Sequence, residues 1–168
     1  MRTKYSKGTM IELAKTTLDD LETLFVFQSN KTGIWMAAFT AEDPSDKDFY
    51  MKKWTKIVED PAIRMQTIRF ENKIIGSVSH FDIMEETNVS YWIDQQYWGR
   101  GFATEGLKKF IEDTVKRPLF ARVAYDNFAS QKVLEKCGFK FIGKDKGFAN
   151  ARKMEIEEFI YKFDSSST

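Results

Sequence analysis

Two glycines at alternate positions, Gly99 and Gly101, lie between a β-like run at 89–93 and a helix-like run at 103–115. Glycine permits a positive φ, and its lack of a side chain lets backbone N–H groups approach a ligand. The start of the following helix adds unpaired N–H groups and the positive end of its dipole. Such a corner is typical of sites that bind phosphate or pyrophosphate. The same pattern also fits a plain tight turn before a helix.

The neighbouring residues exclude two common phosphate loops. A P-loop requires Lys-Ser or Lys-Thr after its second glycine, and neither pair follows Gly101. A dinucleotide fingerprint requires a third glycine where this chain has Thr104. The pattern that fits is Gln/Arg-x-x-Gly-x-Gly/Ala, with Gln96, Gly99 and Gly101 at its defined positions. This resembles the acetyl-coenzyme A loop of the GNAT superfamily of N-acetyltransferases.

A second block further along the chain strengthens this resemblance. Asn127, Ser130, Gly138 and Phe139 follow the GNAT order of Asn-x-x-Ser/Ala, a short helical stretch and Gly-Phe. Two segments are similar to the ribosomal-protein-acetylating branch of that superfamily: Tyr-Trp-Ile-Asp, followed by Tyr-Trp-Gly-Arg-Gly-Phe-Ala-Thr-Glu. The resemblance is specific over about 75–141 and general elsewhere. It implies the GNAT fold, acetyl-CoA as cosubstrate and transfer of its acetyl group to an amine.

The loop chemistry and the resemblance together predict how the cosubstrate binds. Amides at 98–103 are expected to hold the pyrophosphate, while the amide-bearing pantetheine arm adds to the open edge of the strand at 91–93. N–H groups near Ile93 and Asp94 would then face the thioester carbonyl and stabilise its oxyanion. Asn127 is expected to cap a helix and, by resemblance, to bind the arm as well. The Arg100 side chain either adds charge or points to solvent. The predicted cofactor-binding residues are Trp92, Ile93, Trp98, Gly99, Arg100, Gly101, Phe102, Ala103, Thr104, Asn127 and Ser130.

Candidates for acid and base are fewer. By resemblance Ser130 protonates or hydrogen-bonds the departing thiolate, although it also fits a plain helix-turn serine. Many GNAT enzymes use a tyrosine one turn later, where this chain has Leu134. An amine must lose a proton to attack, so His80 and Glu86 are candidate bases. They equally fit a polar strand residue and a turn acid, and a base acting through water stays open. The lone Cys137 is expected to be buried packing.

Hydrophobic periodicity predicts a mixed α/β (α+β) fold. This agrees with the GNAT fold that the resemblance implies, in which helices flank a central, mostly antiparallel twisted sheet of six to seven strands. The segment 33–40 reads either as a core loop or strand, or as a wall of the acceptor pocket. The glycine inside the helix, Gly106, is expected to allow close packing of that helix on the sheet. Predicted strands are 10–15, 64–70, 73–81, 87–93, 119–124, 140–148 and 154–163, and predicted helices follow Thr17 and Ser45 and span 103–115 and 128–136.

Composition limits the alternatives. The chain has 168 residues, 42% of them hydrophobic, which suits one domain over 1–168 with a frayed tail at 164–168. The resemblance implies that this is a GNAT domain. With 26 basic and 25 acidic residues it has no polyanion-binding signature, so no nucleic-acid partner is expected. One cysteine, no signal peptide and no long apolar run predict a cytoplasmic protein without a membrane partner. We expect no metal, and a homodimer is possible.

The acceptor is the least determined part of the function. The leading expectation is a primary amine on a small molecule or a protein N-terminus, and an apolar acceptor would suit Trp35 and Phe39. The alternative is a non-catalytic GNAT-fold module that binds acyl-CoA and regulates or contacts a partner. A nucleotide-binding protein that uses the same loop is a third reading, weakened by the missing motif residues.

Overall fold

The computed structural model describes residues 11–164, which form seven strands and five helices. The strands are β1 (Ile11–Lys15), β2 (Arg64–Phe70), β3 (Lys73–Ile83), β4 (Glu86–Ile93), β5 (Leu119–Ala124), β6 (Lys140–Ala149) and β7 (Met154–Phe163). The helices are α1 (Leu21–Gln28), α2 (Lys31–Ala37), α3 (Lys47–Glu59), α4 (Phe102–Glu112) and α5 (Phe128–Lys136). The predicted Met10 strand start and the tail at 165–168 lie outside the described residues.

One sheet contains all seven strands in the order β1-β2-β3-β4-β5-β7-β6. Neighbouring strands are antiparallel except for β4 and β5, which run parallel. This confirms the prediction of a mostly antiparallel sheet of six to seven strands flanked by helices. No helix within residues 11–164 is long and apolar enough to cross a membrane.

The two faces of the sheet carry different helices. On one face α4 packs over β1 to β4, with Leu107 and Phe110 fully buried. A Cβ at Gly106 would lie 3.0 Å from Ile68, which confirms that this glycine allows close helix–sheet packing. On the other face α1 and α3 form a second cluster around Leu24 and Tyr50. A site in this sheet is therefore bordered by α4 on one face and by α1 and α3 on the other.

The first sixty residues differ most from the sequence prediction. Residues 31–37 form helix α2, so the segment 33–40, for which a core loop or strand was one of two expectations, is helical up to residue 37. Asn30 does not end the preceding helix but caps α2, since its side chain accepts a hydrogen bond from Gly33 N. Likewise the N-cap of α3 is Asp46 rather than Ser45, whose hydroxyl donates to Asp43 instead. Short polar residues close together can each serve as a cap, so sequence places such boundaries poorly.

A gap opens in the sheet between β4 and β5. Their parallel pairing covers only Thr87 with Leu119 and Asn88 with Phe120. Beyond these two pairs the strands separate, and the half of β4 nearest the glycine loop has a neighbour on one side only, β3. Helices α4 and α5 begin on either side of this gap, directly after β4's loop and after β5. The gap therefore brings the glycine loop and the Asn127 block to one place.

Candidate active site

The glycine loop has the backbone conformation that its sequence predicts. Gly99 and Gly101 adopt φ values of +78° and +82°, in the left-handed region that favours glycine. No described atom lies within 4 Å of a Cβ built at either position, so the space beside the loop is open. Gly101 is the N-cap of α4, and its carbonyl accepts from Glu105 N at 3.0 Å. The amides of the first helical turn therefore precede the first intrahelical bond and suit an anion.

Side chains hold this loop against the end of β4. The indole Nε1 of Trp98 donates to the carbonyl of Ile93 at 2.8 Å. The Asp94 carboxylate accepts from Gln96 N at 3.3 Å. These bonds join the strand end to the loop, so the position of the amides depends on the strand rather than on a free turn.

Positive charge reaches the groove from a different element than expected. Arg100 is exposed, which agrees with the solvent alternative, and it does not line the groove; its guanidinium lies 5.0 Å from the ring centroid of Phe102, and also near Phe70 and Tyr97. Instead, Lys132 and Lys136 of α5 line the groove beside the glycine loop. Sequence reasoning missed these lysines. Their spacing of four residues, which places both on one helix face, was the available signal.

Successive backbone N–H groups of β4 point alternately toward β3 and toward the gap. Asp94 N donates to Ile75 O at 2.8 Å, so the expectation that this N–H faces the thioester is wrong. In an antiparallel pair, bonded and non-bonded positions alternate. With Gly76 opposite Ile93 and Val78 opposite Tyr91, the N–H groups of Ile93 and Tyr91 point away from β3, toward the gap. Ile93 N–H is thus the donor available at the strand end.

Two cavities meet in this gap. A groove of about 430 Å³ runs from the glycine loop past α5, and a second cavity of about 690 Å³ lies between the sheet and helices α1 and α3. Within the described chain, five residues line both: Ala37, Tyr91, Trp92, Asn127 and Ser130. The volume of each is in the range of small-molecule sites. The arrangement suits two ligands that enter separately and touch at the junction.

Two hydroxyl groups bond to each other at the junction. Tyr91 Oη and Ser130 Oγ lie 2.6 Å apart, which joins β4 to the first turn of α5 across the gap. Asn127 caps that helix as predicted, with its Oδ1 accepting from Ser130 N at 3.3 Å. Burial raises the pKa of Tyr91, although its hydrogen bond with Ser130 opposes this. Sequence reasoning missed Tyr91, and alternation along β4, which puts it on the same side as Ile93, was the only signal.

Trp92 forms the wall between the cavities. Its Nε1 donates to Phe27 O at 3.1 Å, which ties the strand to the end of α1. A Cβ at Gly33 would lie 2.8 Å from the Trp92 ring, so α2 packs directly on the indole. The predicted cofactor residue Trp92 is at the junction, and its indole also positions α1 and α2.

His80 and Glu86, the two predicted bases, are not brought to the junction. His80 is buried on the α4 side of β3, with its ring centroid 5.8 Å from that of Phe110. Burial and the nearby cations Lys116 and Arg64 lower its pKa. Glu86 pairs with Ile83 at the opposite end of β4 from the glycine loop. Neither residue lines either cavity.

Cys137 behaves as a packing residue, as expected. Its side chain is buried in the main core cluster, and its Sγ lies 3.5 Å from Thr104 O. Burial raises the pKa of its thiol to about 11, so the reactive thiolate is disfavoured. Gly138 follows with φ +96°, the left-handed conformation in which a glycine typically terminates a helix.

The larger cavity is rich in aromatic side chains. Phe39 lines it, whereas Trp35 does not and is half-exposed. Trp35 instead stacks under the Arg152 guanidinium, 4.4 Å from its ring centroid. Arg152 also makes two 3.0 Å bonds to Asp126, next to the junction residue Asn127. The β6–β7 turn therefore clamps α2 to the β5–α5 loop and frames the junction.

These features define two adjoining cavities that meet beside an anion-binding glycine loop. A family model described as the acetyltransferase (GNAT) domain matches residues 11–140. The chain therefore belongs to the GNAT family and is an acetyl-CoA-dependent N-acetyltransferase by class. No curated protein matches the sequence.

Solved structures share the fold at low sequence identity. The microcin self-immunity acetyltransferase MccE, solved with acetyl-CoA and AMP, is 21% identical, with 93% of each chain covered and a TM-score of 0.75. The ribosomal-protein acetyltransferase RimL, solved with coenzyme A, is 18% identical, with 93% of this chain and 96% of that chain covered and a TM-score of 0.75. The ribosomal-protein-alanine N-acetyltransferase from Brucella melitensis is 18% identical, with coverage of 92% and 99% and a TM-score of 0.77.

Proposed function

We propose that this protein transfers the acetyl group of acetyl-CoA to a primary amine, on a small molecule or a protein N-terminus, by direct attack in a ternary complex. The observation that carries the proposal is the junction of the two cavities at Tyr91, Trp92, Asn127 and Ser130. Because the two cavities share only five of their described lining residues, donor and acceptor need not displace one another. A ternary complex then places the amine beside the thioester without a covalent enzyme intermediate.

The donor side fits coenzyme A. The open space beside Gly99 and Gly101 and the amides at the start of α4 suit its diphosphate, and Lys132 and Lys136 add charge to the same groove. The pantetheine amides would pair with the free edge of β4, as an added strand does. When bound, the thioester supplies an activated acetyl group.

The chain's own residues then have three tasks. Ile93 N–H is placed to stabilise charge on the carbonyl oxygen, a contribution of about 3–4 kcal/mol for a well-placed donor. In the reaction the amine nitrogen bonds to the acetyl carbon, the carbon–sulfur bond breaks, and its electron pair stays on sulfur. Nitrogen loses one proton and sulfur gains one, for which Ser130 is the nearest candidate donor. With His80 and Glu86 away from the junction, the proton from nitrogen leaves through water.

The acceptor cavity favours an apolar body next to the amine. Aromatic rings from α1, α3, β3 and the loop after α2 line it, including Phe27, Phe81 and Trp54. Among the described lining residues the cations are Lys53 and Arg122, and Arg122 is already bonded to Asp145 and Glu158. A carboxylate-bearing acceptor would therefore find this guanidinium occupied, whereas an aromatic or aliphatic monoamine finds matching surface.

Two further expectations rest on sequence and stay proposals. We place the protein in the cytoplasm because its single cysteine suits a reducing compartment. A homodimer also remains a proposal, which size-exclusion chromatography with light scattering tests directly.

An acetyl-transfer screen tests the proposed function. Coenzyme A release is measured with aromatic and aliphatic monoamines, polyamines, amino acids and peptides with free N-termini. We expect turnover, with monoamines or peptides with an apolar first residue preferred. Calorimetric binding of acetyl-CoA with no release above hydrolysis for any class would instead support the non-catalytic acyl-CoA-binding module.

A further inference from the structure

We propose that Tyr91 is a positioning residue for Ser130: its phenol donates a hydrogen bond to Ser130 Oγ and directs the serine's own hydrogen toward the departing sulfur. The inference rests on the proposed acetyl transfer and assigns a function to a side chain that the glycine loop and the Asn127 block do not include. It concerns the proton that sulfur must gain when the carbon–sulfur bond breaks.

The position of the pair singles it out. Among the five residues that line both cavities, Tyr91 and Ser130 are the two whose side chains carry a hydroxyl. Their oxygens are 2.6 Å apart, a normal distance for an O–H···O hydrogen bond. One oxygen comes from β4 and the other from α5, on opposite sides of the gap. The hydrogen bond therefore spans the place where the acetyl donor and the amine acceptor would meet.

The direction of the bond follows from hydrogen counting. A serine hydroxyl has a single hydrogen and two lone pairs. If Ser130 donated to Tyr91, that hydrogen would be unavailable to sulfur. With Tyr91 as donor, one lone pair of Ser130 is used and its hydrogen stays free, polarised by the bond it accepts. Leu134, one turn further along α5, has no hydroxyl group that could donate a proton to sulfur.

The environment of Tyr91 keeps the phenol in its donating form. Its burial raises its pKa, and the neighbouring Cys137, the other titratable group acting on it, raises it further. Cys137 is itself neutral, because burial raises the pKa of its thiol to about 11. Near neutral pH the tyrosine is therefore an O–H donor rather than a phenolate.

Tyr91→Phe tests the proposal because it removes the hydroxyl and keeps the ring. Loss of one neutral hydrogen bond predicts a kcat about 5- to 10-fold lower, with both KM values within about threefold of wild type. Ser130→Ala should lower kcat at least as much. The double variant should be no slower than Ser130→Ala, because Tyr91 acts only through the serine. Tyr161→Phe, at another buried core tyrosine, is the matched control and should leave kcat unchanged.

A second readout needs no turnover. Calorimetry of coenzyme A binding from about pH 7 to 9.5 spans the ordinary thiol pKa of about 8.5. A hydrogen directed at sulfur favours the thiolate, so wild-type affinity should rise across this range. The rise should shrink in Tyr91→Phe and vanish in Ser130→Ala, and desulfo-coenzyme A should show none in any variant.

Three results would overturn the inference. They are a Tyr91→Phe enzyme with wild-type kcat, additive losses in the double variant, and the same pH dependence of coenzyme A affinity in all three proteins. If no amine is acetylated by the wild type, the proposed transfer fails. The calorimetric comparison still decides whether the Tyr91–Ser130 pair is directed at sulfur.

Discussion

Gly99→Ala should separate ligand binding from folding at the glycine loop. Gly99 has φ +78°, and an alanine in the left-handed region costs about 1–2 kcal/mol. The added Cβ meets no described atom within 4 Å, so the free protein has no clash to relieve. For a chain of this size the strain corresponds to a fall in Tm of about 2–8 °C.

Coenzyme A affinity should fall far more than this strain implies. The new methyl group would project into the open space beside the loop and displace the diphosphate from at least one amide. A hydrogen bond to a charged group contributes about 1.5–3 kcal/mol. The dissociation constant from calorimetry should therefore rise about 10- to 150-fold.

Gly138→Ala provides the matched control. Gly138 also has a positive φ, +96°, and a Cβ there would lie 3.1 Å from the Phe163 ring. Its Tm should fall at least as far, while coenzyme A affinity stays within about threefold of wild type, because its added Cβ faces the Phe163 ring rather than the groove. Undiminished affinity in Gly99→Ala, or an equal loss in Gly138→Ala, would refute the reasoning.

Three further predictions concern the frame around the site. Because burial lowers the folded-state pKa of His80, wild-type stability should fall as pH drops below about 6.5, by up to about 1.4 kcal/mol per pH unit. In His80→Phe, the free energy of unfolding from urea denaturation should no longer fall with pH in this range, and kcat should stay at the wild-type value. If the pH dependence persists, or if kcat falls strongly while the protein stays folded, the placement of His80 in the core and away from the junction is wrong. Arg152→Lys should lower the free energy of unfolding by about 2 kcal/mol, since a lysine cannot keep both bonds to Asp126. It should also raise the KM for the amine more than the KM for acetyl-CoA. If wild type and variant have equal KM values, Arg152 does not hold the acceptor side of the site in place. Gly76→Ala should destabilise the fold by more than about 3 kcal/mol in thermal and urea unfolding, because its Cβ would lie 2.2 Å from Trp92 O; a small change would show that β3 and β4 separate easily.

The acetyl-CoA side of the site could be predicted from sequence because it depends on local backbone chemistry. Gly99, Gly101, Asn127 and Gly138 each occupy a backbone position that short-range rules specify: a positive φ, a helix cap or a helix end. Alternation likewise predicted strands such as β2, which carries a buried face, whereas β6 is exposed along almost its whole length. These features depend on neighbours a few residues away, so the sequence contains them directly.

The junction depends on contacts that sequence does not show. Tyr91 and Ser130 are 39 residues apart, and only the separation of β4 from β5 brings them together. Helix α2 contains a glycine and a tryptophan and is a poor helix by propensity, but the Trp92 indole packs against Gly33 and supports it. His80 was ambiguous because both faces of its strand are buried, so alternation could not tell which face of the sheet it would occupy.

The central claim is that main-chain amides of the Gly99–Gly101 loop hold the diphosphate of acetyl-CoA. The most direct measurement is a calorimetric comparison of coenzyme A with pantetheine, which keeps the arm and thiol but lacks the diphosphate and the phosphorylated adenosine, with 4′-phosphopantetheine included to separate the phosphate from the adenosine. We predict one-to-one binding of coenzyme A and an affinity for pantetheine at least about 100-fold weaker. Equal affinity for the two compounds, or no heat with coenzyme A at millimolar concentration, would contradict the account.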